Sequence, residues 1–242
     1  MNDPEFVRLF VRDLLLCKIQ NSKLVILRAA RNAKTDPQKL NAAAQKLRGL
    51  AARLSECTDI DSMRGVEGVA AGAYFSVFDE MLSSPEGFRF CVRSRRPPLN
   101  EVNAVLSFLY TQLAHDVRSA METVGLDPAA GYLHSLRPGR DSFALDLMEE
   151  LRAPLCDRIA LALFHLRQLA RPDFDYQTPA VYLNDKGRRV VLSAWRARKQ
   201  ETIRHPFLQE TIPIGMIPYV QSMLFARVLR GDLDRYPPFI WR

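Results

Sequence analysis

The 242-residue sequence has no run approaching the roughly 18 consecutive apolar residues that a membrane-spanning helix needs, so no membrane partner is expected. It also lacks the apolar core of a secretory leader, because Asp3, Glu5, Arg8, Arg12 and Asp13 interrupt its first apolar stretch. Cysteine is scarce and scattered. Cys17, Cys57, Cys91 and Cys156 form no C-x-x-C pair, which removes a structural zinc site and a redox motif and leaves four residues read as reduced, buried small hydrophobes. The expected setting is the cytoplasm. Repeats and low-complexity tracts are missing and strand signals nearly so, which predicts a single all-α domain over residues 1–242. Acidic residues are outnumbered, 27 against 34 Lys and Arg, and the net charge of +7 favours a polyanionic partner without naming it.

What remains is an ordinary globular mixture, 48% hydrophobic and 25% charged, long enough to bury a sizeable core. Asp3-Pro4-Glu5 supplies a cap, a first-turn proline and a first-turn acid for a helix to about Asn32. Asp36-Pro37 starts a second helix to about Leu54, and Asp59 or Asp61 caps a third to about Leu82. Residues 83–98 read as a loop carrying Arg89, Arg93, Arg95 and Arg96. A fourth helix follows from about Leu99 to Gly125, then a Gly- and Pro-rich loop over 125–141. Asp141 or Ser142 caps the next helix, which Pro154 kinks or restarts and which runs to about Arg171. Beyond lie a short extended piece at Ala180 to Leu183, a basic helix capped by Asn184 and running through Lys199, and a last helix at about Ile214 to Arg230.

Three places hold residues able to do chemistry. On the third helix Met63, Glu67, Ala70, Tyr74 and Val77 repeat at 4-3-4-3 spacing, which sets Glu67 inside the apolar stripe, where a carboxylate needs a partner. The glycines and alanines around it, Gly65, Gly68, Ala70, Ala71 and Gly72, suit close approach of another element or of a ligand. His134 lies in the loop Gly131-Tyr132-Leu133-His134-Ser135-Leu136-Arg137-Pro138-Gly139-Arg140, where an imidazole can ligate a metal and Arg137 and Arg140 can grip phosphates. Asp146 and Glu149, three apart on one helix, share a face. Each has a structural alternative: a buried ion pair for Glu67, a surface or core histidine for His134, and a solvated acidic face with Glu149 paired to Arg152. Taken together they compose a mixed oxygen and nitrogen set suited to magnesium or manganese.

The order of several motifs resembles one family. Val66-Glu67-Gly68, Arg95-Arg96-Pro97-Pro98, Asn103 to Phe108, Gly125-Leu126-Asp127-Pro128, Gly131-Tyr132-Leu133-His134 and Ala144 to Glu150 fall in sequence. They continue into Tyr182-Leu183, Gly187-Arg188, Ala194-Trp195, Arg198-Lys199, Gly231-Asp232 and Tyr236-Pro237-Pro238. The whole is similar to the CRISPR-associated adaptation endonuclease and integrase, the universal member of the spacer-acquisition machinery.

That resemblance implies a helical catalytic domain in which Glu67, His134 and Glu149 ligate Mg2+ or Mn2+, with Asp146 in support. It implies that Arg93, Arg95, Arg96, Arg137 and Arg140 meet DNA. The implied reaction inserts foreign DNA fragments as new spacers, by attack of a 3′-hydroxyl on a phosphodiester at a CRISPR repeat. The implied partners are double-stranded DNA, both the fragment and the repeat, and a second small CRISPR adaptation protein. Family members also dimerise through an N-terminal β-rich domain. This sequence opens instead on its first long helix, so homodimerisation, and activity at an assembled site, follow less directly. The alternative reading is a truncated, catalytically silent DNA-binding scaffold.

Overall fold

The computed structural model describes residues 3–33, 36–82 and 84–241, and Ser83, at the start of the expected basic loop, lies outside them. The helix α1 (Pro4–Asn32) begins where Asp3 accepts a hydrogen bond from the Glu5 N–H at 2.9 Å. Asp36 does the same for Gln38 ahead of α2 (Gln38–Arg53), and Asp59 caps α3 (Ile60–Phe75) through Ser62. The third helix stops at Phe75, short of the predicted Leu82. Val77 leaves helical geometry (φ −111°, ψ 10°), and the chain resumes as the single turn α4 (Phe78–Met81). The buried stripe survives the break, since Met63, Ala70, Tyr74 and Val77 all stay in the core.

Asn100 caps α5 (Glu101–Thr123), the long helix against which α10, β2 and the segment after Leu151 pack. A loop leads to α6 (Ser142–Leu147) and the short α7 (Glu149–Leu151); no Asp141 side-chain bond caps α6, contrary to that option. The chain next makes a π-helical turn over Arg152–Asp157 and then α8 (Arg158–His165), which ends six residues before the expected Arg171. Pro154 explains the turn. Its missing N–H leaves the Glu150 carbonyl without its helical donor, and the Asn21 side chain on α1 supplies one at 2.7 Å.

Two hairpins were not foreseen as such. β1 (Phe174–Gln177) pairs with β2 (Ala180–Leu183), the piece predicted as extended, and the basic helix α9 (Asp185–Gln200) is capped by Asn184 as expected. β3 (Thr202–Arg204) and β4 (Thr211–Pro213) form the second hairpin before α10 (Ile217–Leu229). The fold is otherwise helical, with α1 packed on α2, α3, α7 and the π-turn around one apolar core. Cys17 and Cys156 lie in that interior, but Cys57 is half-buried and Cys91 is exposed on the basic loop, so the uniform reading of the cysteines is corrected. No helix among the described residues is long and apolar enough to cross a membrane.

Candidate metal centre and nucleic-acid interface

Four separate elements deliver the candidate residues to one place. Glu67 comes from α3, His134 from the loop after α5, Asp146 from α6 and Glu149 from α7. The histidine loop is fixed from three sides. Gly131 permits it to lie on α6, because a Cβ there would stand 2.5 Å from Ser142 Cβ and 2.9 Å from the His134 carbonyl oxygen. Tyr132 packs edge-on against Phe10 and Phe143, with centroids 5.2 Å away in both cases. Arg64 of α3 donates from Nε to the Leu133 carbonyl at 2.9 Å, which ties the loop to the helix that carries Glu67.

Asp146 holds the loop at its centre. Its fully buried carboxylate accepts the backbone N–H groups of Tyr132 (2.6 Å), Leu133 (2.9 Å) and His134 (2.9 Å), and its Oδ1 lies 2.5 Å from His134 Nδ1. The acceptor character of Asp146 places the imidazole proton on Nδ1, so Nε2 presents a lone pair. That nitrogen stands 4.0 Å from Glu149 Oε1. The solvated-face reading of Asp146 and Glu149 is therefore excluded, since both are buried.

The pairing of Glu149 with Arg152 is real, at 2.9 Å to Oε1, and coexists with a second cation. The Lys18 ammonium on α1 is bonded to Glu67 Oε1 and lies 2.7 Å from Glu149 Oε2. One ammonium therefore faces an oxygen of each carboxylate. Burial opposes ionisation of Glu149, but Arg152 and Lys18 outweigh it and hold the carboxyl at about 2.

Among the described residues no three His, Cys, Asp or Glu side chains stand at ligand spacing around one point; the Lys18 ammonium lies between two of them. The chemistry of the set nevertheless fits a divalent ion. Two ligands of one ion sit about 2.0–2.2 Å from it and hence roughly 3–4.4 Å from each other, a range that includes the His134–Glu149 separation. A carboxylate oxygen and the Nε2 lone pair are donors such an ion accepts, and the Glu149 oxygen at that separation, Oε1, is the one with which Arg152 also pairs. Glu67 and Glu149, without His134, line a narrow cleft of about 50 Å³ together with Lys18, Tyr110 and Arg152, with Arg95 also on its wall.

The basic residues divide. Arg95, Arg96 and Arg137 are exposed and Arg140 half-buried, and none makes an ion pair among the described residues. Arg95 and Arg96 also line a groove of about 550 Å³ between their loop and the tip of the β1–β2 hairpin. Arg93 turns inward instead. It donates to Asn103 Oδ1 at 2.8 Å and Ser107 Oγ at 3.1 Å, and its guanidinium lies 5.2 Å from the Tyr110 ring centroid. The expectation of a close-packed neighbour for the α3 glycines is corrected: a Cβ on Gly65, Gly68 or Gly72 would meet nothing within 4 Å.

Lys18 and the Tyr74–Asp157–Tyr110 group behind the site went unnoticed in the sequence. Asp157 accepts from both tyrosine hydroxyls, at 2.9 and 2.7 Å, and burial raises its carboxyl to about 6 even though these donors oppose the shift. Tyr110 in turn sits under the Arg152 guanidinium, 5.1 Å from its ring centroid, so this buried network props the arginine that faces Glu149.

A mostly helical chain with acidic and basic side chains gathered at one cleft, and an imidazole 4.0 Å from one of those carboxylates, is the class of protein that fold and site define. The family model described as CRISPR associated protein Cas1 matches residues 1–197. The chain is 51% identical to "CRISPR-associated endonuclease Cas1 2" of Rhodospirillum rubrum, over 96% of this chain and 70% of that one. It is 42% identical to "CRISPR-associated endonuclease Cas1" of Leptospira interrogans, over 96% and 92% of the two chains. Among solved structures it superposes on a Cas1 protein from Thermotoga maritima with TM-score 0.80 and 26% identity, over 95% and 68% of the chains. A casposase bound to integration product shares the fold at TM-score 0.84, 20% identity, 99% and 67% coverage. The chain belongs to the CRISPR-associated Cas1 family.

Proposed function

We propose that this Cas1 chain is a divalent-metal-dependent DNA endonuclease and integrase of CRISPR adaptation, which joins foreign DNA fragments into a repeat by 3′-hydroxyl attack. The observation that carries the reading is the convergence of Glu67 and Glu149 on one cation, with the His134 Nε2 lone pair 4.0 Å from Glu149. Glu67, His134 and Glu149 would hold Mg2+ or Mn2+, with Asp146 fixing the histidine tautomer. Bound there, the ion supplies neutralisation of charge at a scissile phosphate and a lower effective pKa for the attacking hydroxyl.

The chain's own residues do the rest. Arg95 at the cleft and Arg96 in the adjoining groove hold one DNA backbone, and Arg137 and Arg140 beside His134 hold another, so that nucleophile and phosphate meet in line. Arg93 acts indirectly, by shaping the loop that presents Arg95 and Arg96. Among the alternatives for the α3 glycines, a ligand remains, and the open face beside Glu67 admits a DNA strand. Solved structures sharing the fold, among them a Cas6-RT-Cas1–Cas2 complex and a casposase bound to integration product, support DNA and the small second adaptation protein as partners.

The test is to incubate a labelled duplex bearing free 3′-hydroxyls with a repeat-containing plasmid, Mg2+ or Mn2+, and the second adaptation protein. Joined product is expected. Cleavage alone would make the chain a nuclease, and retarded DNA with neither product would make it the silent scaffold.

A further inference from the structure

Of the two cations at Glu149, one is fixed and one is not. Arg152 is held by its pair with Glu149 Oε1 and by the Tyr110 ring, and that ring is held by buried Asp157. Nothing comparable holds Lys18. Its backbone is anchored, since its neighbours Cys17 and Ile19 are buried on α1, but its side chain is 17% exposed at the cleft, and the only polar groups it meets among the described residues are Glu67 and Glu149. A lysine presents a point charge on a flexible four-carbon stem, with three donors that impose no planar fork. At Glu149 Oε2 the ammonium stands at 2.7 Å, so its charge serves both carboxylates at once.

We infer that Lys18 is a tethered counter-cation of the metal centre, which holds Glu67 and Glu149 at ion spacing when no divalent ion is bound and withdraws from both carboxylates when one arrives. The inference rests on the reading of Glu67, His134 and Glu149 as metal ligands. The ammonium sits between the two carboxylates that come from different helices, at the point where their charges must be balanced. Without a cation there, two carboxylates facing one narrow cleft repel each other, and the Glu149 carboxylate is too buried for water to screen it. A dication taking up the same pair of oxygens repels the ammonium, so the two cations compete for the carboxylates. The flexible stem and the open side of the cleft give the ammonium a way out without movement of α1. Lys18 thereby sets how much divalent ion the site requires: the ion must displace an internal competitor. In this role it is a positioning residue, acting through the two glutamates.

Mn2+ titration followed by the electron paramagnetic resonance of the free ion tests this on the full chain, wild type against Lys18→Met. The neutral variant is expected to bind Mn2+ about tenfold more tightly. Metal-free, it is expected to melt below the wild type, and saturating Mn2+ is expected to close that gap. A residue that merely braced the fold would not tighten metal binding when removed. Unchanged or weaker binding by a folded Lys18→Met overturns the inference. If that variant does not fold, Lys18→Gln is titrated in its place, with tighter binding supporting the inference and unchanged or weaker binding overturning it. Failure of the wild type to bind Mn2+ at all would instead remove the metal reading, and with it this inference, so the two failures are distinguishable.

Discussion

Glu149 and Glu150 are neighbours on one helical turn, both buried, and opposite in state. Glu149 faces Arg152 and Lys18 and is held at about 2, whereas burial pushes Glu150 up to about 7 against the pull of its hydrogen bonds. Those bonds come from neutral groups: Tyr236 Oη at 2.6 Å, Gln221 Nε2 at 3.0 Å and the Phe239 N–H at 2.7 Å. Gln221 also reaches buried His205, and Asn21 accepts the Trp241 N–H, so this second cluster fastens the C-terminal tail to α1 and α10. The lesson is that burial alone does not decide what a carboxylate does. Cations make one an ionised ligand candidate, and neutral donors make the other a clasp.

The largest expected effect breaks the first half of the pair. Glu149→Ala, like Glu67→Ala and His134→Ala, is expected to lower strand joining and cleavage about a thousandfold, near 4 kcal/mol, while DNA retardation in gels changes by less than about threefold. Full activity in Glu149→Ala would pass the ligand role to Asp146. Breaking the second half should cost stability instead. Glu150→Ala removes the acceptor of the Tyr236 hydroxyl and of the Phe239 N–H and one of the acceptors of Gln221, and is expected to lose about 3 kcal/mol in urea unfolding, with Mn2+ affinity kept.

A pH comparison sharpens the contrast further. A carboxyl raised from 4.5 to about 7 contributes stability in full below about 4.5 and loses it as pH rises through 7, because the folded state binds the proton more tightly. Wild type is therefore expected to lose more stability between pH 5 and pH 8 than Glu150→Gln, and equal losses in urea midpoints would refute the environment assigned to Glu150.

Smaller effects probe the support around Glu149. Asp146→Asn replaces one of the two accepting oxygens by a donor, which then faces either the Tyr132 and Leu133 N–H groups or the His134 N–H and Nδ1, and is expected to weaken Mn2+ binding about 10- to 100-fold in the same titration. Arg95→Ala is expected to reduce DNA affinity by about 1 kcal/mol and to flatten the slope of log K against log salt by about 1, measured by fluorescence anisotropy.

Much of the helical frame was legible because caps are local. Asp3, Asp59 and Asn184 each accept a nearby backbone N–H, a pattern that residue order alone announces. The hairpins were not, since strands of three and four residues are too short to show a period, and β1 buries only its first residue. At the site, helical spacing put Glu67 toward the interior and Asp146 and Glu149 on one face, but three distant segments converge only through packing that spacing does not encode. The family resemblance supplied that link. Lys18 stayed hidden because a lysine on a helix reads as solvent-facing, and only its row with Leu14 and Ser22 hints otherwise.

The adjacency of the two glutamates also bears on how this chain can vary in length. A one-residue insertion just before Glu149 would carry it to the tail-facing place of Glu150, and a one-residue deletion there would carry Glu150 to the cations and leave Leu151 at the tail. A change between Glu150 and Pro154 would move the proline off the carbonyl that Asn21 completes. The hairpin tips can drift by a residue without touching either cluster. Such changes should accumulate at those tips and be shut out of the eight positions from Leu147 through Pro154.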